Sequence, residues 1–453
     1  MRDSEIDMAT GQAKPSPAES ENPAGSLGVG AAVISAVANP ALEAEREARR
    51  RRLGVFLLAS GALGLWAFAI NVPSSKKALL LINAANALHV TAPHLPVQLS
   101  NFVLDGLTAA IGIWIIIHRQ GRRTGLGALV ALVAFSLSVL VWAARGSQLS
   151  LVGLLVTTVS FAAPLLFGSL SGILCESSGV INIAIEGQLS AGAFLGAMIG
   201  SATHNDWYGL VGGAVAGSLI GLLLAVLALR YQADQIIAGV VIVTLISGLT
   251  SFLTLRVLDV HQNTLNSPSV FPPYAVPLLD KIPILGPMFF DQNIFVYAAI
   301  ILLVATQIGL TRTRWGLRVR AVGEHPKAAE TVGISVIRVR YRNVILGGAV
   351  GGLGGAAFTI GSTGQFTAHM VSGLGYVALA AMIFGGWRPL PAAGAALLFG
   401  FSDSLQTSLG QLNTPIPSEF LLMLPYLATI VAVAGLIGRV RPPAADGKPY
   451  QRQ

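Results

Sequence analysis

Charge is what this sequence has least of. Only 11% of its 453 residues are Asp, Glu, Lys or Arg, against 53% hydrophobic residues, and the mean hydropathy is +0.68. A water-soluble domain carries about 25% charged residues, so a chain this long and this poor in charge cannot clothe several globular domains, and its main solvent is lipid. Cysteine is almost as scarce. The single Cys175 excludes an internal disulfide, and no Cys/His spacing suits a metal, which argues against redox chemistry and structural zinc. No Gly-x-x-x-x-Gly-Lys-Ser/Thr loop is present, because the only Gly-Lys pair, Gly447-Lys448, precedes Pro449. There is no nucleophile elbow, no paired acid/base constellation and no helix with metal-ligand His spacing, so an enzyme is not expected. Residues 1–45 are polar and hold no apolar core beside a small-residue cleavage site, so no cleavable signal peptide is expected and the segment reads as a disordered tail.

What the chain does have is long apolar runs. Spanning a bilayer takes roughly 20 apolar residues in a helix, and such runs fall at 53–72, 99–118, 126–144, 149–171, 180–202, 208–229, 236–255, 292–311, 343–361, 374–386, 391–408 and 419–438. The run 374–386 is too short to span and is expected to be re-entrant. The fold expected is all-α: a polytopic helical membrane protein of about 10–12 transmembrane helices, some short or broken. Its divisions are a disordered basic tail (1–52), N-terminal transmembrane helices (53–148), a core (149–438) holding a loop at 312–342, and a C-terminal tail (439–453).

The net charge of +8 comes from short basic clusters beside apolar runs, not from one basic face, so it reads as orientation and not as a nucleic-acid surface. Arg49-Arg50-Arg51-Arg52 precedes the first run; Arg119, Arg122 and Arg123 follow the second; Arg312, Arg314, Arg318, Arg320, Lys327, Arg338, Arg340 and Arg342 fill the 312–342 loop; Arg439 and Arg441 open the last tail. Counting spans puts all of these on one side, and the positive-inside rule makes that side cytoplasmic, both termini included. The opposite loop, Arg256 to Asp291, holds only Arg256 and Lys281 against Asp259, Asp280 and Asp291. Glycine is abundant, and the clusters Gly212–Gly217 and Gly347–Gly355 read as helix-packing faces, or else as flexible joints.

Four polar features interrupt the apolar runs. In the basic loop, Pro326 to Val332 is expected to form a short helix with Pro in its first turn and Gly333 as its stop, a lever another protein can push. In Cys175-Glu176-Ser177-Ser178-Gly179-Val180-Ile181-Asn182-Ile183-Ala184-Ile185-Glu186-Gly187-Gln188, the Glu176 to Gly179 stretch should break a span. Asn182 and Glu186, four apart, should share a helix face. Glu176, Asn182 and Glu186 either line a pathway or fix helix packing through buried polar contacts. Asp403, alone in an apolar run, is a pathway residue or a hydrogen-bond anchor. The polar stretch Gly361 to Gly375 is expected to be external, with His369 a solvated loop residue.

These residues carry a resemblance. Ala328-Ala329-x-x-x-Gly333 resembles the coupling-loop signature of ABC importer permeases, with Lys327 where a Glu is often found. The longer string Gly316-Leu-Arg-Val-Arg-Ala-Val-Gly-Glu324 is similar to the branch that imports nucleosides and simple sugars, related to branched-chain amino acid and ribose permeases. The Glu176 to Gln188 string, Gly375-Tyr376 through Trp387-Arg388-Pro389, Phe399-Gly400-Phe401-Ser402-Asp403 and Met423-Leu424-Pro425-Tyr426 extend the likeness over residues 150–438. It implies a permease subunit of the bacterial cytoplasmic membrane. Residues 324–334 would dock in a groove of a separate ATPase subunit, with Glu324, Pro326, Ala328, Ala329 and Gly333 as the coupling set. ATP and Mg would bind that partner, and this chain would hold no cofactor. The other implied partners are a second permease, a different paralogue, and an external solute-binding lipoprotein, with no nucleic acid. Nucleosides are favoured over pentoses as cargo. An ion-gradient-driven transporter or channel using Glu176, Glu186 and Asp403 is the alternative.

Overall fold

A computed structural model describes residues 40–73, 77–81, 94–118, 122–146, 148–412, 420, 423, 426 and 441–451. Among them, eight helical runs are long and apolar enough to cross a membrane: Glu47–Ile70, Val97–Ile117, Thr124–Ala143, Leu151–Glu176, Asp206–Arg230, Gln235–Leu258, Ile294–Arg312 and Val336–Thr363. The helices in chain order are α1 (Pro40–Gly64), α2 (Val97–Ile117), α3 (Arg122–Ala143), α4 (Leu151–Glu176), α5 (Ile185–Thr203), α6 (Asp206–Ala225) and α7 (Gln235–Leu253). They continue as α8 (Gln262–Leu265), α9 (Ile294–Arg312), α10 (Arg314–Glu324), α11 (Pro326–Thr331), α12 (Val336–Phe358), α13 (Leu374–Phe384) and α14 (Pro389–Gln411). Wider π turns prolong α1, α6, α7 and α12. Short strands β1 (Lys77–Leu81), β2 (His94–Pro96) and β3 (Gln148–Ser150) form a small sheet in the order β2-β1-β3, and β4 (Tyr274–Ala275) pairs with β5 (Asp291–Gln292). The polytopic helical fold stands. The expected crossing 419–438 and residues 1–39 of the expected tail lie outside the described residues, apart from 420, 423 and 426.

Residues 40–52 correct the expected disordered tail, because they are the first turns of α1. Ala, Glu and Arg are good helix formers, and Glu47 pairs with Arg51 at 2.9 Å and with Arg50 at 3.6 Å, one turn on. Arg50, buried, donates to the carbonyl of His118 just past the end of α2, where a cation meets the helix dipole favourably. Close approach of α1 to α2 needs Gly61 and Gly112: a Cβ on either would stand 2.6 Å from a backbone nitrogen of the other helix.

The centre is built differently, from helices whose backbones touch. A Cβ on Gly221 of α6 would lie 2.6 Å from the Val344 carbonyl oxygen of α12, and one on Gly209 would lie 2.6 Å from the Gly196 oxygen of α5. Gly217 meets Gly348, Gly213 meets Gly352, and Gly192 also meets Gly352, each backbone against backbone. Glycines every fourth residue put one bare stripe along a helix, and in lipid close packing replaces the missing hydrophobic drive for association. The glycine clusters are therefore packing faces. Buried α4, with Pro164 inside it, lies against α12, α13 and α14 and carries most of the apolar core with Phe167, Leu170 and Ile173.

Two crossings are broken. The run expected at 180–202 becomes helical only at Ile185, where α5 starts against Gly168 and Gly172 of α4, roughly one to two turns short of that helix's end. The segment expected to be re-entrant, 374–386, instead completes a crossing that begins without helix. Gly364 sits against Pro268 and Val270 at one rim, α13 then passes Gly168 and Gly172 through Ala378 and Met382, and Trp387 reaches Glu176 at the other rim. The chain avoids helix at 364–373 because positive-φ residues punctuate it, Gly364 at 68°, His369 at 61°, Ser372 at 43° and Gly373 at 84°. The 312–342 loop holds α10, α11 and the first turns of α12.

Filling the seam should be costly. Gly217→Ala puts a methyl group on the Gly348 carbonyl and is expected to cost about 1–3 kcal/mol, read as a lower melting temperature of the detergent-purified chain. Gly248→Ala, whose Cβ meets nothing within 4 Å, is the control and should melt no lower than the native chain. Equal melting of both variants would refute a closed seam.

Candidate functional site

The break after α4 is made by a tight turn. Gly179 has φ 86°, Gly179 N–H donates to the Glu176 carbonyl at 2.9 Å, and Val180 N–H donates to that of Cys175 at 3.3 Å. The chain then returns into the protein as extended backbone, and Ile181 N–H donates to the Gln235 side chain at 2.8 Å. Asn182 is fully buried here. Its amide donates to Ser171 Oγ at 3.1 Å and to Gln188 Oε1 at 3.2 Å, Gln188 Nε2 returns a bond to Asn182 Oδ1 at 3.2 Å, and Ser171 Oγ donates to Gln188 Oε1 at 2.8 Å. This closed network satisfies polar groups that lipid would leave unpaired, and it stitches α4, the break and α5 together.

The expectation that Asn182 and Glu186 share a helix face does not hold, because α5 starts only at Ile185 and Asn182 belongs to the extended segment. Glu186 points elsewhere. Its Oε1 accepts from Gly373 N–H and its Oε2 from Gly375 N–H, both at 2.7 Å. A carboxylate thus caps α13 at its N-terminus, where the helix dipole favours negative charge. Glu176 is buried too, accepting from the Trp387 indole N–H at 2.6 Å and from Asn182 N–H at 3.4 Å. Asp403 is not brought to this group. It sits on α14 beside Ser404, which donates to the Leu154 carbonyl near the opposite end of α4.

Beside Glu186 opens a cavity of 410 Å³ between α5, α7 and the 366–376 segment, lined by Glu186, Ser190, Ser247, Thr250, Phe366, His369 and Tyr376 among others. His369, expected to be simply solvated, is exposed but reaches across to α7, within 3.3 Å of both Ser247 Oγ and Ser251 Oγ. Polar groups on several walls with an aromatic ring among them suit a small solute that carries both hydroxyls and a flat face.

The short helix of the basic loop forms as expected. α11 begins at Pro326, Gly333 follows it at φ 83°, and Ile334 N–H donates to the Ala329 carbonyl at 3.0 Å. Ala329 is 3% exposed and packs with Val322, Val336 and Tyr450. Lys327, Ala328 and Thr331 face outward with Val332, which is 74% exposed. Pro326 is half-buried, and Glu324 is exposed and accepts from Ala444 N–H at 3.3 Å. Gly323 abuts the Ser177 carbonyl, so α10 bears directly on the turn that breaks the membrane crossing.

Four residues of this region were not anticipated: Gln188, Trp387, Arg340 and Asp446. Arg340, expected in a solvated loop, is 0% exposed; its Nε donates to the Ser178 carbonyl and its Nη1 to that of Lys448, each at 3.1 Å. The signal was available, since Val336, Arg340, Val344 and Gly347 fall on one stripe of a helix. Asp446 lies next to Glu176 under the turn, and burial pushes its carboxyl from 3.8 up to about 7. Among the described residues no group of His, Cys, Asp and Glu could hold a metal ion.

Residues 154–434 match the family described as the permease component of branched-chain amino acid transport systems. The chain belongs to that family. It is a multi-pass membrane transport subunit, not an enzyme, and such a permease works with ATPase and permease partners. It is 41% identical over 304 residues to the guanosine ABC transporter permease protein NupQ of Bacillus subtilis, covering 65% of this chain and 94% of that protein. It is 37% identical over 301 residues to the nucleoside ABC transporter permease protein NupC of Lactococcus lactis subsp. cremoris, covering 64% and 94%. A second guanosine permease of Bacillus subtilis, NupP, is 24% identical over 309 residues, covering 64% and 85%. No solved structure matches this permease.

Two tests follow from the geometry. Glu186→Gln turns an amide donor toward an N–H donor, and is expected to weaken the α5–α13 junction by about 1–3 kcal/mol, read as faster amide exchange at Gly373 and Gly375. The Asp446 carboxyl holds its proton more tightly when docked than when free, so docking of the tail is strongest below the ordinary carboxyl value. It weakens as pH climbs and reaches its floor once pH passes about 7. Proteolysis of residues 441–451 should therefore quicken with rising pH, and Asp446→Asn should flatten the profile.

Proposed function

We propose that this permease is the membrane subunit of an ATP-driven importer of nucleosides. The observation that carries the reading is the 41% identity to a guanosine permease over 94% of that protein's length. The 410 Å³ cavity supports it, since Ser247 and His369 offer partners to ribose hydroxyls and base edges while the exposed Tyr376 offers a face for the ring. In this reading the solute passes along the cavity beside Glu186, and Glu176 and Asn182 hold the re-entrant segment that leads into α5.

Energy enters at the basic rim. Arg312, Arg314, Arg318 and Arg320 lie exposed beside α11, and the positive-inside rule makes that rim cytoplasmic. There α11 docks in the ATPase through its exposed Lys327, Ala328, Thr331 and Val332, while buried Ala329 and the Gly333 stop fix its attitude. The partner binds ATP and Mg; its closure tilts α11 and favours one of two packings of the permease. A second, different permease completes the pathway, a pairing suggested by the two guanosine permeases of Bacillus subtilis. An external solute-binding lipoprotein delivers the nucleoside. The gradient-driven reading loses ground because Glu176 and Glu186 are each engaged by N–H donors, leaving little freedom for an ion.

The test is uptake of a radiolabelled purine nucleoside, with ribose as comparison, in cells carrying or lacking the gene. Uptake lost on deletion and on ATP depletion is the expected result; uptake that survives ATP depletion and collapses with an uncoupler would overturn it. Ala328→Trp, on the exposed face of α11, should lower transport by at least about tenfold, the equivalent of 1.4 kcal/mol of docking, with membrane insertion unchanged.

A further inference from the structure

The segment Arg441–Gln451 lies beyond the residues that match the family, 154–434, yet it is woven into the lever. A turn at residues 444–447 inserts below the break after α4. Ala445 N–H donates to the Gly323 carbonyl of α10 at 2.9 Å, and Ala444 N–H to Glu324 at 3.3 Å. A Cβ on Gly179 would meet the Ala445 carbonyl at 3.1 Å, and one on Gly447 would meet Ile181 at 2.6 Å. The segment therefore touches both sides of the re-entrant turn, through the Ala445 carbonyl beside Gly179 and through Gly447 against the Ile181 side chain.

Its far end grips α11. The Tyr450 hydroxyl donates to Glu330, and the Tyr450 ring is 9% exposed, packed with Val322, Ala329 and Val336. Gln451 Nε2 then donates to Gln232 Oε1 at 3.2 Å in the turn between α6 and α7. Arg340 joins the two ends from beneath, holding Ser178 of the re-entrant turn and Lys448 of the tail with one guanidinium. Arginine is almost never fully buried unless paired, so this one is committed to the junction.

A helix of one and a half turns cannot hold its own attitude, since so few hydrogen bonds do not offset the cost of ordering it. We infer that Arg441–Gln451 is a strut that fixes α11 to the re-entrant turn 177–181 and carries lever motion into the membrane, with Arg340 and Tyr450 as its positioning residues. The route is short. From Ser178 and Ile181 the chain passes to Asn182, Gln188 and Glu186, and so to the cap of α13 and the cavity wall. The inference rests on the reading that α11 is where the ATPase docks.

Two measurements separate the strut from that reading. In the full-length permease, Tyr450→Phe removes the bond to Glu330 and keeps the ring in place. It should raise amide exchange at residues 326–334 and 177–181 about fivefold, the equivalent of one hydrogen bond; a truncation after Ala444 should raise it further. Unchanged exchange in both variants overturns the strut whatever the ATPase does. In proteoliposomes holding the complete transporter, guanosine moved per ATP hydrolysed should fall severalfold for Tyr450→Phe, with basal hydrolysis and ATPase copurification unchanged. An unaltered ratio would overturn the role in coupling. Raised exchange in both variants, beside a native permease that moves guanosine without ATP, would instead overturn the docking reading and leave the strut as a purely mechanical clamp.

Discussion

The structure depends on direct contact between the backbones of α5, α6 and α12. Where Gly217 faces Gly348 and Gly213 faces Gly352, no side chain intervenes, so these three helices cannot rotate or slide without collision. Lipid offers little hydrophobic gain for helix association, and what holds helices together is closeness itself. The seam is thus the rigid body of the permease. Everything less regular is attached to it: the break before α5, the break before α13 and the basic rim below both.

Rigidity at the seam makes the broken crossings tolerable. A backbone that leaves helical geometry inside a bilayer must find partners within the protein, and both breaks do. The first spends its polar groups on Ser171, Gln188, Gln235 and Arg340; the second gives the N–H groups of Gly373 and Gly375 to Glu186. The two intramembrane carboxylates share a logic. Each lies at an interruption and holds a second chain segment to it, Glu186 holding the start of α13 and Glu176 holding Trp387 beyond its end. Together they clamp α13 at both ends, a helix too short to span alone.

Much of this was legible, and the divide is instructive. Apolar runs mark the crossings because lipid imposes them directly, and the short helix that starts at Pro326 and stops at Gly333 was legible because Pro and Gly act locally through fixed φ and αL geometry. Glycine spacing revealed the seam for the same reason. The directions of Asn182 and Glu186 were not legible, since their spacing of four means a shared face only if a helix already runs through both, and that is decided by partners as distant as Gln235. Residues 40–52 were misread because a charged composition suits disorder and a solvated helix equally, and the Glu47–Arg51 pairing breaks the tie. Arg340 was hidden by its company among other arginines of a basic loop. Asp105, buried in α2 and accepting from Ser138 Oγ at 2.8 Å, was not legible because a single carboxylate leaves its run apolar enough to span.

If the seam cannot move, the moving part must be what is weakly joined to it. Helix α7 fits that description. It meets α5 and the segment just before it along one edge, through Gly187 against Val243 and Gly239 against Ile183, and its other face exposes Ile237, Val241, Leu245 and Phe252. Its two ends are tied to the two breaks, Gln235 to Ile181 at one and Ser247 and Ser251 to His369 farther along. Beside the buried Ala238, Ile242 and Ile246, those ties are single hydrogen bonds, worth about 1 kcal/mol each, whereas separating the seam would strip backbone contacts along three helices. A push delivered at the re-entrant turn reaches α7 through the Ile181–Gln235 bond as well as α5 through Asn182 and Gln188, and α7 is a wall of the cavity. On the proposed function, α7 is the wall that yields while α5, α6 and α12 stay locked.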